Sequence, residues 1–324
     1  MRLLLFEWLT GGGGWFDGRP SDSSCPLQAQ GQEMLLAVVR DLRSSDIELA
    51  VPIDARLSVF NRLDKIALPV FSADSLQVIL AGQASMADAI ILIAPESGGC
   101  LSMCCQWLEP FQAKFLSPHR GFVDLTANKQ QTAEWLTARG VLVPNGRLLS
   151  ELDSLQPIQD FICPVVIKPV DGAGSDQVQI VENFESVSWP ENPQDFRVES
   201  FVRGTAVSVS VLCGGNHVEL LPPTGQVFDS QPIGNYVGTL FPLPRQLATR
   251  ATALAAKTMS VLPVTRGYIG IDMILSSESP TLDCVVEVNP RLTMSYIKLR
   301  EICDFNVGMR MIEIAKRGLL PGKL

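Results

Sequence analysis

Hydrophobic residues in the first third of the chain form short apolar runs separated by segments with helical spacing. The apolar runs cover residues 2–9, 47–53 and 89–94, and the helical patterns cover residues 28–43 and 74–84. Apolar strands that alternate with amphipathic helices are typical of a mostly parallel sheet. The pattern therefore predicts an α/β lobe of the doubly wound, Rossmann-like kind.

From about residue 116 the pattern changes to a helix followed by hairpins. Thr126 is predicted to cap a helix that runs to Arg139 and is closed by Gly140. Residues 164–181 are predicted to form a strand, a glycine-rich loop and a second strand, and residues 267–291 two further strands joined by a turn. These elements indicate an α+β region after the first lobe.

The C-terminal hairpin places polar residues within apolar strands. Side chains alternate along a strand, so Gly270 and Asp272 share one face, as do Glu287 and Asn289. If residues 278–281 form a four-residue loop, Asp272 lies opposite Glu287 and Gly270 opposite Asn289. Like charges at opposed positions are destabilising, so a cation is expected between them, and oxygen ligands favour Mg²⁺. The alternative is a solvated sheet face with two exposed acids.

Lys168 lies in an otherwise apolar run and is followed by a glycine-rich loop. A buried ammonium group needs a partner, and flexible backbone amides beside a lysine can cradle a triphosphate. The candidate loop residues are Asp171, Gly172, Gly174 and Ser175. The Gly-Lys-Ser/Thr ending and the following helix of a Walker A site are missing. The alternative is an ordinary hairpin whose lysine reaches solvent.

Lys129 and the link at residues 199–204 give further signals. Lys129 lies in the first turn of a predicted helix, where a cation opposes the helix dipole, so it is either a surface lysine or close to an anion. The link joins Glu199 to an alternating strand. Its backbone groups can meet a purine edge, with Phe201 or Val202 against the face of the ring.

The glycines at residues 11–14 follow the first strand, where doubly wound folds hold their ligands. No dinucleotide fingerprint opens a helix there, so a mobile loop over a small ligand is expected. Glu7 interrupts the first strand, and Glu96 precedes two glycines whose backbone amides can approach an anion. Each acid either points into the crevice or is a surface residue at a strand end.

Composition limits the function. The formal net charge of -8 argues against a nucleic-acid scaffold, so positive charge must be local if the chain binds phosphate. With 8 cysteines in no Cys-x-x-Cys pair and only 2 histidines, we expect neither a zinc site nor a histidine-based nucleophile relay. No apolar run is long enough to span a membrane, and no signal-peptide pattern is present. We expect a cytoplasmic protein that binds neither nucleic acid nor membrane.

Four of these signals, in this order, resemble the ATP-grasp superfamily: Lys129, Lys168, the link at residues 199–204, and Asp272 with Glu287 and Asn289. The resemblance covers about residues 116–315. It implies an ATP-grasp fold of α/β and α+β type, in which two α+β subdomains clasp ATP. The implied divisions are a pre-ATP-grasp domain at 1–115, an ATP-binding subdomain at 116–200 and a metal-binding subdomain at 201–324.

The resemblance also implies roles for individual residues. The phosphates of ATP are expected on Lys129, Lys168 and the glycine-rich loop, and adenine on the backbone from Glu199 to Val202. Mg²⁺ or Mn²⁺ is expected on Asp272, Glu287 and Asn289. Many members carry an acid that meets the ribose hydroxyls where this chain has Ala206. Position 270, often an anion-binding arginine in relatives, is glycine, and Arg291 is the candidate replacement.

Residues 6–13, 93–96 and 289–296 resemble, more narrowly, the tyramine–glutamate ligase branch, which is tied to methanofuran-type one-carbon cofactors. That branch, whose bacterial relatives could use tyrosine, implies transfer of the γ-phosphate to a carboxylate and attack of an amine on the acylphosphate, which gives an amide. Lys168 and the metal would neutralise developing charge, Arg291 would hold the carboxylate or acylphosphate, and Glu96 would contact the amine.

The expected partners are therefore a small-molecule carboxylate and an amine, and a homodimer is left open. D-amino-acid ligation and bicarbonate activation would share every ATP-binding residue and differ in the acceptors. A non-catalytic nucleotide sensor is the alternative from another class of protein, and a nicotinamide-dependent Rossmann enzyme is disfavoured by residues 11–14.

Overall fold

A computed structural model describes residues 1–18, 25–43, 45–63, 65–151, 161–172, 177–183, 187, 189–229, 234 and 236–318. These residues build three sheets, one parallel and two antiparallel, with helices packed against them. The predicted mixture of α/β and α+β architecture is confirmed. Within the described residues, no helix combines the length and the apolar character needed to cross a bilayer.

The first lobe is a parallel sheet covered by helices on both faces. Its strands are β1 (Arg2–Glu7), β2 (Glu48–Asp54), β3 (Ala67–Val70) and β4 (Ala89–Ile93), in the order β3-β2-β1-β4. Its helices are α1 (Gly14–Asp17), α2 (Pro26–Leu42), α3 (Ala73–Met86) and α4 (Cys100–Trp107). The predicted strands and helices of this lobe are present with small shifts at their ends. The pattern missed β3, because only its last residue is buried.

The second sheet is small and antiparallel. It follows the helices α5 (Arg120–Ala127) and α6 (Lys129–Thr137) and has the order β5-β8-β6-β7. Its strands are β5 (Gly146–Leu148), β6 (Val165–Pro169), β7 (Gln179–Val181) and β8 (Phe196–Ser200). The strands β6 and β7 form the predicted hairpin. A separate apolar core that includes Phe161, Ile167 and Val198 holds this sheet together.

The third sheet is the largest, and it carries the predicted carboxylates. Its strands are β9 (Gly204–Gly215), β10 (His217–Leu220), β11 (Thr224–Phe228), β12 (Tyr236–Leu240), β13 (Thr265–Ser276) and β14 (Cys284–Asn289). The order is β12-β11-β9-β13-β14, with β10 also paired to β9. Helix α7 (Arg245–Val261) contributes its buried residues to the core of this sheet.

The last two described helices return to the first lobe. Helices α8 (Ser295–Ile302) and α9 (Val307–Arg317) share one apolar core with α2 and the first sheet. Asp41 of α2 fixes this arrangement, because it accepts hydrogen bonds from Tyr296 and from Nε of Arg300, the latter at 2.6 Å. The first and third sheets are therefore joined through a common core.

Two local expectations are corrected. Helix α6 is capped by Asn128, whose Oδ1 accepts from the Gln131 amide at 3.0 Å, and Thr126 instead belongs to α5 and donates to the Phe122 carbonyl at 2.9 Å. The predicted helix therefore begins at Lys129, after the extended backbone of Asn128, and the preceding helix α5 was not predicted. The glycines at residues 11–13 are buried rather than open. A Cβ on Gly13 would lie 2.2 Å from the Trp8 ring, so these glycines permit close packing.

The C-terminal hairpin keeps its predicted register with a different loop. β13 ends at Ser276 and β14 begins at Cys284, so the connection is longer than the expected loop at residues 278–281. A one-residue register shift lies between Asp272 and Met273, so only the pairs on the loop side of Asp272 depart from the predicted register. Asp272 therefore pairs with Glu287, and Gly270 with Asn289, as predicted.

The contact between β9 and α9 gives a prediction for stability. A Cβ on Gly214 would lie 1.8 Å from the Ile314 carbonyl oxygen, so Gly214→Ala must push α9 away from β9. We expect it to lower the free energy of unfolding by about 1–3 kcal/mol in urea titrations. The matched control is Gly82→Ala on α3, where nothing lies within 4 Å. It should raise stability by about 0.5–1 kcal/mol. Equal effects of the two changes would contradict this packing.

Candidate functional site

A cavity of about 320 Å³ lies where the three sheets meet. This volume is within the range of small-molecule sites. The first lobe contributes the ends of β1 and β4 and one side of α2, the second sheet contributes β6, β8 and the link after β8, and the third contributes β9, β11, β13 and β14. Ten of the predicted site residues line the cavity: Lys129, Lys168, Gly172, Glu199, Phe201, Val202, Asp272, Glu287, Asn289 and Arg291.

Asp272, Glu287 and Asn289 converge on one wall, as the hairpin register predicted. The Asn289 amide Nδ2 donates to Oδ2 of Asp272 at 3.0 Å, while Oδ1 of Asp272 is buried with no hydrogen-bond partner among the described residues. Burial, and then the negative charge of Glu287, raises the pKa of Asp272 to about 6. Two carboxylates are thus held together at a cost in free energy.

Lys129 neutralises one of these carboxylates. Its Nζ lies 2.8 Å from Oε1 of Glu287 and also donates to the Gly172 carbonyl at 2.8 Å. Burial acts to raise the pKa of Glu287, but the charge of Lys129 and its hydrogen bond bring that pKa below its ordinary value. With only 9% of its side chain exposed, Lys129 is not a surface lysine.

Lys168 is buried in an ion pair. Its Nζ lies 2.6 Å from Oε1 of Glu199, and the other oxygen of that carboxylate accepts from Nε of Arg197 at 3.0 Å. Arg197 donates further to the Gln130 side chain and to the Pro144 carbonyl. The alternative of a lysine that reaches solvent is therefore excluded. The carboxylate of Glu199 holds Lys168, and the backbone after it forms the link on which adenine is expected.

The glycine-rich hairpin reaches the first lobe. Oδ2 of Asp171 accepts from the Gly98 amide at 3.0 Å, so Asp171 faces the turn after β4 and is not part of the cavity wall. Gly172 lines the cavity beside Lys129. Gly174 and Ser175, which were also predicted to contact phosphate, lie outside the described residues.

Arg291 and Glu96 form a buried pair. Nε and Nη2 of Arg291 both donate to Oε2 of Glu96, at 2.9 and 2.7 Å, and Nη1 donates to the Leu292 carbonyl at 3.0 Å. Arg291 lines the cavity, whereas Glu96 lies outside its wall. The predicted contact of Glu96 with an amine substrate stays a prediction. Glu96 is 3% exposed, and its carboxylate is paired with Arg291.

Glu7 is buried at the end of β1 and satisfies its own turn. Its carboxylate accepts from the amides of Leu9 and Thr10 and from the Thr10 hydroxyl, at 3.1, 2.7 and 2.6 Å. Burial raises the pKa of Glu7. Glu7 lines the cavity, but these bonds indicate that its main contribution is to the shape of the turn.

Several residues of the cavity were not predicted. The first lobe contributes Leu27, Gln30 and Met34 from α2, and the third sheet contributes Ser208, Gln226, Phe228 and Tyr236. The spacing of the α2 residues is that of one helix face, and Gln226 and Phe228 share one face of β11. Their periodicity was therefore visible in the sequence. The sequence did not indicate which face of each element lines the cavity.

Comparisons with known proteins identify the family of the chain. A family model of the pre ATP-grasp 3 domain matches residues 47–120, and a model of the ATP-grasp domain matches residues 126–295. No curated protein matches the chain. A protein assigned to the ATP-grasp superfamily from Archaeoglobus fulgidus is 22% identical over 97% of this chain and 88% of that chain, with a TM-score of 0.73.

Two further solved structures share the fold at lower identity. The biotin carboxylase domain of 2-oxoglutarate carboxylase from Hydrogenobacter thermophilus, solved as a dimer with MgADP, ADP and bicarbonate, is 15% identical with a TM-score of 0.73 and covers 99% of this chain and 70% of that chain. An L-amino acid ligase from Bacillus licheniformis is 14% identical with a TM-score of 0.66 and covers 100% and 76%. Because the ATP-grasp domain model matches more than half of the residues, this chain belongs to the ATP-grasp family.

Proposed function

We propose that the protein is an ATP-dependent ligase that joins a carboxylate to an amine through an acylphosphate. The observation that carries the proposal is the convergence of two lysines, two carboxylates, an asparagine and an arginine on one cavity. Phosphoryl transfer depends mostly on positioning and on charge stabilisation, and these are the functions such residues provide. The likeness to an L-amino acid ligase supports the same reaction class.

The cavity offers different surroundings for the parts of the nucleotide. Val166, Phe201, Val202 and Ile274 give one end an apolar wall, which suits the base. Lys129 and Lys168 carry the positive charge that suits the phosphates. Both lysines contact protein carboxylates at 2.6–2.8 Å, so a triphosphate would compete with Glu199 and Glu287 for them. The favoured orientation of the nucleotide therefore places adenine at the link and the phosphates beside the lysines.

The residues on β13 and β14 fit a divalent cation. Oδ1 of Asp272 has no hydrogen-bond partner among the described residues, and burial together with the charge of Glu287 raises the pKa of this carboxyl group, so a cation beside it would be stabilising. Glu287 and Asn289 add oxygen donors of the kind that Mg²⁺ prefers. When bound, Mg²⁺ or Mn²⁺ would neutralise phosphate charge. No group of three or more His, Cys, Asp or Glu residues that could hold a metal occurs among the described residues, so phosphate oxygens would have to complete the shell.

Arg291 is the candidate anion-binding group for the second substrate. Three of its five N–H groups are used by Glu96 and Leu292, which leaves two for a carboxylate or acylphosphate. Its planar guanidinium suits bidentate recognition of such groups. We propose that Glu96 fixes the orientation of Arg291. Glutamate with tyramine or tyrosine is the first pair to test, because of the resemblance to ligases of methanofuran-type cofactor biosynthesis.

The test of the function is ADP release with MgATP across carboxylates and amines. We expect ADP formation to require one carboxylate–amine pair. We also expect Asp272→Ala or Glu287→Ala to lower it by at least about a hundredfold, since each removes charge stabilisation from the transferred phosphoryl group. Asp304→Ala, an exposed acid outside the cavity, is the matched control and should keep wild-type turnover.

Other outcomes of that screen separate the alternatives. ADP formation with bicarbonate or with D-amino acids would support the proposed nucleotide site but would identify different acceptor substrates. Nucleotide binding without ADP formation for any acceptor would identify a sensor. Wild-type turnover in the Asp272 variant would remove the metal assignment.

Glu96→Gln tests whether Glu96 orients Arg291 or contacts the amine. The variant keeps the shape of the side chain but removes one charge of a buried pair, so Arg291 is held less firmly. We expect the KM for the carboxylate to rise about tenfold, with the KM for the amine and the Kd for ATP unchanged. A rise confined to the KM for the amine would instead support direct contact between Glu96 and the amine.

Asp272→Asn tests the charge imbalance without nucleotide or metal. An acid whose folded pKa is raised from 3.8 to about 6 destabilises the folded state when it is ionised, because the folded protein binds more protons than the unfolded chain between these values. The variant should therefore be more stable by about 1–3 kcal/mol at pH 7.5. This advantage should shrink as the pH falls below 6 and vanish near pH 4. Urea titrations across pH measure it, and a variant less stable at pH 7.5 would contradict the assignment.

A further inference from the structure

A row of side chains across the third sheet lies between the link and the carboxylates. Ala206 of β9 pairs with Ile274 of β13. On the other side, Thr224 and Gly225 of β11 pair with Ser208 and Val207. Continuing this register by one residue puts Gln226 beside Ala206. Ile274, Ala206 and Gln226 all line the cavity, and Gln226 pairs further with Thr239 of β12.

The neighbouring rows of side chains indicate which part of a nucleotide would contact the row of Ala206. Two positions along β9, Ser208 pairs with Asp272 and with Thr224, so that row carries the proposed metal site. Two positions in the other direction, Gly204 is the last residue of the link and the first of β9. The row of Ala206 therefore lies between the proposed base site and the proposed metal and phosphate site. In a nucleotide, the sugar joins these two parts.

Gln226 is the available polar group of this row. Ala206 and Ile274 cannot form side-chain hydrogen bonds, and the hydroxyls of Thr239 and Tyr236 bond to each other. The carboxamide of Gln226 is half-buried and makes no hydrogen bond within the described part of the chain. Strands in a sheet lie about 4.8 Å apart, a distance that a glutamine side chain can span. Its carboxamide both donates and accepts, which matches a pair of vicinal hydroxyls.

We propose that Gln226 recognises the ribose hydroxyls of the bound nucleotide from the strand beside Ala206. The inference rests on the proposed function, because the position of the sugar follows from that of the base and the phosphates. In this arrangement β11 supplies the ribose contact that β9, with Ala206 in the same row, does not supply. The nucleotide preference of the protein is then a property of one side chain that contacts neither phosphate nor metal.

The experiment compares ATP with 2′,3′-dideoxy-ATP by calorimetric titration in the presence of Mg²⁺. We expect the wild-type protein to bind ATP about three- to tenfold more tightly, the range for neutral hydrogen bonds. Gln226→Leu should lose this preference by weakening ATP alone, with the Kd for dideoxy-ATP unchanged. Gln226→Glu retains an acceptor for the hydroxyls and should keep the preference.

Two controls fix the interpretation. Ser208→Ala alters the row that carries Asp272, and Gln30→Leu alters a glutamine at the opposite, α2 side of the cavity. Both should keep the wild-type ratio of the two Kd values. A Gln226→Leu variant that keeps this ratio, or that weakens both nucleotides equally, would overturn the inference. A wild-type protein that binds neither nucleotide would instead remove the proposed nucleotide site, and the role of Gln226 with it.

Discussion

Ion pairs between separate elements hold the cavity in shape. Charged groups withdrawn from water are costly unless a partner of opposite charge lies within reach, so each buried pair fixes two segments of the chain. Lys129 joins α6 to Glu287 on the third sheet and to the Gly172 carbonyl beside the second. Arg291 joins the end of β14 to Glu96 of the first lobe. Apolar cores stabilise each sheet, but these pairs set how the walls of the cavity face one another.

The charges at this junction leave no excess of positive charge before any ligand enters. The cations are Lys129, Lys168, Arg197 and Arg291, and the carboxyl groups are Glu7, Glu96, Glu199, Asp272 and Glu287. A triphosphate would add several negative charges to this set. Either the lysines must then leave their carboxylates or further positive charge must enter. Asp272, whose hydrogen bond comes from a neutral amide, is where an added cation would gain most. The proposed dependence on a divalent ion is thus a consequence of charge balance.

The sequence predicted those parts of the site that follow from local rules. Alternation along β13 and β14 predicted the pairing of Asp272 with Glu287. This pairing is present even though the loop was wrong, because the one-residue register shift lies on the loop side of Asp272. Because Lys168 is the one charged residue in an apolar run, the sequence predicted that its side chain is buried. The partners of buried charges were not predictable, since Glu96 and Arg291 are 195 positions apart and no local pattern relates them. The hydrogen bond from Arg197 to the Gln130 side chain was missed because these two residues are also far apart in the sequence.

The antiparallel sheet explains why positions in a motif are a weak guide to its contacts. Side chains that share a row come from remote parts of the chain, here residues 206, 226, 239 and 274. A ligand lying on the sheet meets the row, so a polar group lost on one strand can be supplied by the next strand, about 4.8 Å away. Ala206 therefore does not by itself argue against nucleotide binding. The relevant unit is the pair formed by Ala206 and Gln226, whose relationship depends on the register of β9 with β11 and cannot be read from either segment alone.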